Sequence, residues 1–125
     1  MERTDVSPAI VEKVRVICMA LPDVYEEAAW NAEPRWMIRR RNFAFMVGVD
    51  DKDIVVFRSA PPELTALAHA GHTFFGGRDG QNVIGMVIDD DTDWQELSEL
   101  LADSYCILAP KKLAALVAEG DTPRH

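Results

Sequence analysis

The stretch PRWMIRRRNFAFMVGVDDKDIVVFR, residues 34–58, decides the fold of this chain. Apolar and polar side chains alternate through its first part, and Pro34 is typical of the start of a strand. Two polar groups, Arg41-Asn42 and residues 50–53, interrupt the apolar runs and predict tight turns. We therefore expect an antiparallel meander of three strands, over residues 34–40, 43–49 and 54–58.

The segments on either side of the meander switch between helical and strand periods. Helices are predicted from Ser7-Pro8 to Leu21, over residues 61–71, from a cap at Asp91 or Thr92 to Tyr105, and over residues 111–118. Strands are predicted over residues 25–30 and 83–88, with a glycine-rich loop over residues 72–82. This order indicates an α+β two-layer sandwich, an antiparallel β-sheet with helices on one face.

The face of the sheet without helices is expected to be apolar. Under some strand registers it carries Met37, Ala44, Met46 and Met86. An apolar face of this kind is typical of a groove or of a contact with another protein or a second copy.

Size and composition favour one globular domain over residues 1–125, with an ordered core of about residues 7–118. The chain is 48% hydrophobic and 27% charged, and its apolar runs are shorter than a membrane span. The first residues do not resemble a signal peptide. Cys18 and Cys106 lie in apolar segments and are expected to be buried, reduced thiols of a cytoplasmic protein.

Charge is distributed unevenly along the chain, whose net charge is −8. Seven acidic residues and no lysine or arginine lie between Gly85 and Tyr105. Four arginines and no acid lie between Arg35 and Arg41. A polyanion would be repelled by the chain as a whole, yet one end of the molecule is expected to be locally positive.

The arginines of the predicted hairpin form the candidate nucleic-acid-binding site. A hairpin tip that bears arginines can reach a groove or bind phosphates with two parallel hydrogen bonds. The alternative is a charged hairpin that only discourages edge pairing. The candidate residues are Arg35, Trp36, Arg39, Arg40 and Arg41, which Arg58, Lys111 and Lys112 would extend if they fold alongside.

Other polar groups lack the spacing of a catalytic or metal site, and no cofactor is implied. The run from Asp89 to Asp93 has neither the glycine nor the glutamate of a calcium-binding loop, so it predicts a helix-capping turn. His69 and His72 lack a third ligand, and the glycines between Gly76 and Gly80 lack the lysine of a phosphate-binding loop. A small-molecule site near Trp30, Trp36 and His72 is kept as a weaker hypothesis.

Two sets of residues, in order and at their spacing, resemble a known family. The first set is Leu21-Pro22-Asp23-Val24-Tyr25-Glu26-Glu27, Trp30, Pro34, Trp36 and Asn42-Phe43-Ala44-Phe45, and the second is Asp93-Trp94, Leu97, Leu100, Asp103-Ser104-Tyr105 and Leu108-Ala109-Pro110-Lys111-Lys112. Both are similar to the MmcQ/YjbR family, over about Pro8 to Ala118. The resemblance implies a two-layer fold similar to CyaY or secretion-chaperone domains, and DNA binding through a double-wing motif, without established catalytic residues.

The leading hypothesis is therefore a non-enzymatic cytoplasmic protein of MmcQ/YjbR type that contacts DNA through the arginine-bearing hairpin. The alternative is a protein-binding or self-associating adaptor that uses the apolar face of the sheet.

Overall fold

The structure, a computed structural model, describes residues 3–28, 33–58, 74–76 and 83–121. Its strands are β1 (Arg3–Thr4), β2 (Tyr25–Ala28), β3 (Pro34–Ile38), β4 (Arg41–Val49), β5 (Lys52–Arg58), β6 (Phe74–Gly76) and β7 (Val83–Ile88). Its helices are α1 (Pro8–Met19), α2 (Trp94–Leu108) and α3 (Lys111–Asp121).

All strand pairs of the sheet are antiparallel. The strands follow the order β2-β3-β4-β5-β7-β6, and β1 pairs with the end of β4. The prediction of the meander is confirmed, and so are the edge strand from Tyr25 to Ala28 and the strand from Val83 to Ile88. The prediction of a loop through residues 74–76 is wrong, because pairing with β7 makes this short segment a strand despite its glycine. The two-residue strand β1 was not predicted.

One face of the sheet forms the core with the helices. Trp36, Ala44, Phe57 and Ile84 are paired in sequence across β3, β4, β5 and β7, and Met46, Val55 and Met86 form the next row. These side chains are at most 2% exposed and pack against Val14 and Cys18 of α1 and Leu97, Leu101 and Tyr105 of α2. The predicted α+β class, with helices packed on an antiparallel sheet, is thereby confirmed.

The opposite face is apolar, although its composition differs from the expectation. Ala44, Met46 and Met86 belong to the helix-covered core, so their predicted position was wrong by one strand register. Met37 alternates with the core residues Trp36 and Ile38 and therefore points the other way. By the same alternation, this face carries Phe45, Val47, Ile54, Val56 and Val87.

Two tight turns connect the strands of the meander. The predicted turn at Arg41-Asn42 is wrong, because the hairpin of β3 and β4 turns at Arg39-Arg40. The hairpin of β4 and β5 turns at Asp50-Asp51. All four residues have positive φ, with values of 52° and 70° for the arginines and 51° and 65° for the aspartates. Positive φ at both central residues is the signature of a type I′ turn, which suits the twist of the flanking strands.

The helix starts agree with the sequence in part. α1 begins with Pro8 as predicted, but the side chain of Ser7 makes no capping bond, and its N–H donates to Oδ1 of Asp53 at 2.9 Å. Asp93 caps α2 by accepting from the N–H of Glu96, so the predicted cap at Asp91 or Thr92 is wrong. The helix predicted over residues 61–71 lies outside the described residues. Within the described part of the chain, no helix is long and apolar enough to span a membrane.

Candidate nucleic-acid interface

The sheet has an arginine-bearing end and an aspartate-bearing end. Because neighbouring strands are antiparallel, β3 and β5 end where β4 and β7 begin, and Arg39, Arg40, Arg41 and Arg58 all lie at this end. At the other end of β4 lie Asp50, Asp51, Asp53, Asp89, Asp90 and Asp91. The length of β4 separates the two ends by about 25 Å.

The tip of the arginine hairpin is exposed. Arg39, Arg40 and Arg41 are all exposed, and none of them makes an ion pair with a described residue. The left-handed backbone of a non-glycine residue costs roughly 1–2 kcal/mol, which asparagine or glycine would largely avoid. Two arginines therefore occupy a turn that their own conformational preferences disfavour.

The first three residues of β4, Arg41 to Phe43, form the root of the hairpin and are not paired with β5. The pairing of β4 with β5 stops at Ala44 and Phe57, although β4 itself begins at Arg41. A β-bulge between β3 and β4 leaves Phe43 without a register partner on β3. The first three residues of β4 therefore pair with β3 or bulge away, and main-chain pairing does not join them to β5.

Two side chains bridge this gap. The Ser104 hydroxyl on α2 donates to the carbonyl oxygen of Phe43 and accepts from the N–H of Arg58 at 2.8 Å. The Arg58 Nε donates to the carbonyl oxygen of Asn42 at 3.1 Å. Burial and the nearby charge of Arg41 lower the pKa of Arg58 from its ordinary value. Arg58 thus fixes the hairpin as well as adding charge beside it.

Tyr105 holds the other side of the root. Its ring meets that of Phe43 edge to face, with centroids 5.6 Å apart, and its hydroxyl donates to the Pro22 carbonyl oxygen at 2.7 Å. Burial, with the charge of Asp23 second, raises the pKa of Tyr105, while the positive charge of Arg39 opposes this shift. The Tyr105 hydroxyl therefore lies within electrostatic reach of the hairpin tip.

Arg35 and Trp36 lie away from this tip. Trp36 is fully buried, and its indole N–H donates to Oε1 of Glu26 at 2.9 Å. Arg35 points to the face opposite the helices and pairs with Glu27 at 3.2 Å, next to it in the strand register. Its Nε is buried without a hydrogen bond to any described group. The structure therefore separates these two candidates from Arg39 and Arg40.

Lys111 and Lys112 lie at the same end of the molecule as the hairpin, on the helix layer. They are exposed and open α3, directly after α2. Since Ser104 of α2 contacts the hairpin root, the end of α2 and the start of α3 belong to the arginine-bearing end. The candidates Arg39, Arg40, Arg41, Arg58, Lys111 and Lys112 are thus brought to one end.

The acidic residues near the edge strand serve the structure. Arg15 of α1 binds both carboxylate oxygens of Glu26, at 2.8 and 3.0 Å, and also Glu12 at 2.7 Å. The hydrogen bond from Arg15 lowers the pKa of Glu26, and the bond from Trp36 adds to this. This network joins α1 to β2 and β3 beneath the hairpin.

No cluster of metal ligands is found among the described residues. The aspartate run forms the predicted turn, in which Oδ1 of Asp89 accepts from the N–H of Asp91 at 2.9 Å. Neither Cys18 nor Cys106 is in a disulfide, as predicted, but only Cys18 is buried, and burial raises the pKa of its thiol. His69, His72, Trp30 and residues 77–80 lie outside the described residues.

Ser104 is the site residue that the sequence analysis missed. It is buried on the same stripe of α2 as Leu97 and Leu101, seven and three residues before it. A hydroxyl on an apolar helical stripe must find a partner, because a buried unpaired polar group is costly. The position of Ser104 on the apolar stripe of α2 is therefore the feature of the sequence that indicates a buried hydrogen bond.

The fold and the hairpin site define a small α+β protein whose antiparallel sheet carries helices on one face and an arginine turn at one end. The model of the YjbR family matches residues 19–107, and the chain belongs to that family. The crystal structure of the Deinococcus radiodurans protein DR2400, which contains a domain of the DUF419 family, is similar in fold, with a TM-score of 0.69 at 18% identity over 86% of this chain and 87% of that chain. The comparison with curated proteins gave no match.

Proposed function

We propose that this chain is a non-enzymatic, cytoplasmic DNA-binding protein that contacts duplex phosphates through the arginine hairpin of β3 and β4. The observation that carries the proposal is the Arg39-Arg40 turn, where two exposed arginines occupy backbone positions that disfavour them. Such strain is typically kept at functional sites. The guanidinium groups of Arg39 and Arg40 make no ion pair with a described carboxylate, which leaves them available to bind a phosphate.

Charge placement makes this contact compatible with the net charge of −8. Six aspartates, Asp50, Asp51, Asp53, Asp89, Asp90 and Asp91, lie at the far end of β4, about 25 Å away. At physiological salt the Debye length is about 8 Å, so their repulsion at the hairpin is largely screened. Lys111 and Lys112 supply further positive charge at the near end.

The proposal is tested with two matched single variants, Arg40→Glu and Lys52→Glu. Both residues are exposed, each lies in or beside a two-residue turn, and each change lowers the net charge by two. Fluorescence anisotropy with labelled duplex DNA is measured between about 50 and 200 mM salt. We expect Arg40→Glu to abolish binding at about 50 mM salt and Lys52→Glu to leave it within about twofold. Equal losses in both variants would show that only net charge matters, and no salt-dependent binding by the native chain would refute the proposal.

The second candidate function is protein binding or self-association through the sheet face opposite the helices. It is favoured by the apolar row of Phe45, Val47, Val56 and Val87, which are only partly buried. Val47→Asp is the test, because a charge at the centre of this face would break an apolar interface. A change in the solution mass by light scattering, relative to an oligomeric native chain, would support it, and a monomeric native chain would remove the case for self-association.

A further inference from the structure

The root of the arginine hairpin contains the one polar residue that is fully buried among the described part of the chain, Ser104. Its hydroxyl lies between the Phe43 carbonyl oxygen and the Arg58 N–H, which belong to β4 and β5. These two main-chain groups lie one residue beyond the paired Ala44 and Phe57, where the pairing of β4 with β5 ends. The hydroxyl thus bridges the two strands at the point where their pairing ends.

A serine hydroxyl is chemically suited to this place, because it has one hydrogen to donate and lone pairs to accept with. It provides a hydrogen-bond partner for both main-chain groups at once. Among the described residues, the hairpin beyond this point is fixed by this bridge, the Arg58 contact to Asn42, the pairing of β3 with β4 and the burial of Ile38 and Phe43 in the core.

We propose that Ser104 is a positioning residue, which sets the direction in which the hairpin presents Arg39 and Arg40. The consequence for DNA binding rests on the proposed function, whereas the effect of Ser104 on the orientation of the hairpin does not. Without the hydroxyl, the Phe43 carbonyl oxygen and the Arg58 N–H lose their shared partner, and the side-chain link between β4 and β5 at this point is removed. Loss of this link lets the hairpin and its arginines shift relative to the helix layer.

The experiment compares Ser104→Ala with Ser98→Ala. Ser98 lies on the same helix, and its hydroxyl makes no hydrogen bond with a described residue. Ser104→Cys is included because it nearly preserves the volume of the side chain while forming weaker hydrogen bonds, so the fold is retained if the alanine variant unfolds. Amide hydrogen exchange of Arg58, the ¹⁵N-resolved amide signals of Arg39 and Arg40, and DNA affinity are measured for each folded variant.

We expect about tenfold faster exchange of the Arg58 amide in both Ser104 variants, since a bond to a buried group is lost or weakened. The signals of Arg39 and Arg40 should shift, and DNA affinity should fall about fivefold or more, while Ser98→Ala behaves as the native chain. A cysteine variant with native exchange and affinity would show that Ser104 only fills space and would overturn the inference.

Failure of the two proposals can be told apart. If the native chain binds no DNA, the proposed function fails, and the amide signals of Arg39 and Arg40 alone decide the positioning role. Unshifted signals in the Ser104 variants overturn it, and shifted signals support it. If the native chain binds DNA and Ser104→Ala binds equally well, the proposed function stands and the positioning role is overturned.

Discussion

The two turns at the ends of β4 have nearly the same backbone and opposite charge. Arg39-Arg40 and Asp50-Asp51 are both two-residue turns with positive φ at each position. Aspartate visits the left-handed region with less strain than most residues, so the Asp50-Asp51 turn agrees with local preference. The arginine turn does not. The same backbone geometry is therefore explained by residue propensity at the aspartate end of β4 and requires another reason at the arginine end.

The two turns also differ in what supports them. The Asp51 N–H donates to Oγ1 of Thr4 at 3.1 Å, and β1 pairs with β4 directly beside the turn. Within the described part of the chain, the side-chain contacts that support the arginine turn come from Ser104, Arg58 and Tyr105 and lie at its root. At the aspartate end, β1 and Thr4 therefore support β4 as far as its turn. At the arginine end, the turn extends beyond its supporting contacts and is exposed.

The largest change in stability is expected from a substitution at Gly48, where β1 lies closest to β4 beside the Asp50-Asp51 turn. A Cβ on Gly48 would overlap the carbonyl oxygen of Thr4, which is main chain and cannot rotate away. Gly48→Ala should therefore destabilise the fold by about 2 kcal/mol, or detach β1. Chemical denaturation measures this. In a chain that lacks residues 1–5 the same substitution should cost less than about 0.5 kcal/mol, because the obstacle is gone. An equal cost in both backgrounds would contradict the close approach.

The second effect separates strain from function at the arginine turn. Arg39→Asn with Arg40→Gly restores residues that prefer positive φ and should stabilise the fold by about 1 kcal/mol while DNA binding is lost. The matched pair Asp50→Asn with Asp51→Gly should gain less than about 0.5 kcal/mol. Thermal denaturation of the two double variants tests this. A larger gain at the aspartate turn would reverse the comparison.

A smaller effect is expected from the brace of the aspartate turn. Thr4→Val removes the acceptor for the Asp51 N–H but keeps the shape of the side chain. Because the bond is exposed, water replaces it, and the loss should be about 0.5 kcal/mol by denaturation. Faster hydrogen exchange should be confined to the Asp51 amide and its neighbours. Unchanged exchange there would show that β1 pairing alone supports the turn.

The smallest effect concerns acid sensitivity beneath the arginine hairpin. The pKa of Glu26 is lowered in the folded protein, chiefly by its bond to Arg15, so the unfolded chain binds its proton more readily. The stability from this group is present above its ordinary pKa and is lost as pH falls through the folded pKa. Denaturation at several pH values below about 5 should show a shallower loss for Glu26→Gln than for the native chain. Parallel profiles would argue against the Arg15 bond in solution.

The elements of the fold were largely readable from hydrophobic period, whereas their connections were not. Alternation defined β3, β4 and β5, but the turn was placed at Arg41-Asn42, because asparagine prefers turns and two arginines with positive φ are not expected. The cap at Asp93 was missed, since four nearly adjacent acids and a threonine offer equivalent caps and only the helix start distinguishes them.

The candidate site was predictable in charge but not in orientation. The number of arginines between Arg35 and Arg41 predicts a positive cluster. It does not predict that Trp36 is buried and bonded to Glu26, a residue ten positions away that strand pairing brings near. Ser104 meets Phe43 across 61 residues, a contact that no local pattern encodes.

The separation of arginines and aspartates along β4 also contributes an electric dipole directed along the sheet. In the field of a long polyanion such a molecule experiences a torque before it makes any contact, and it turns its arginine end inward. Encounters are thereby oriented, which raises the association rate at low ionic strength without strengthening the final contact. The opposite charges of the two turns, which have similar backbone shapes, can therefore orient the molecule before contact.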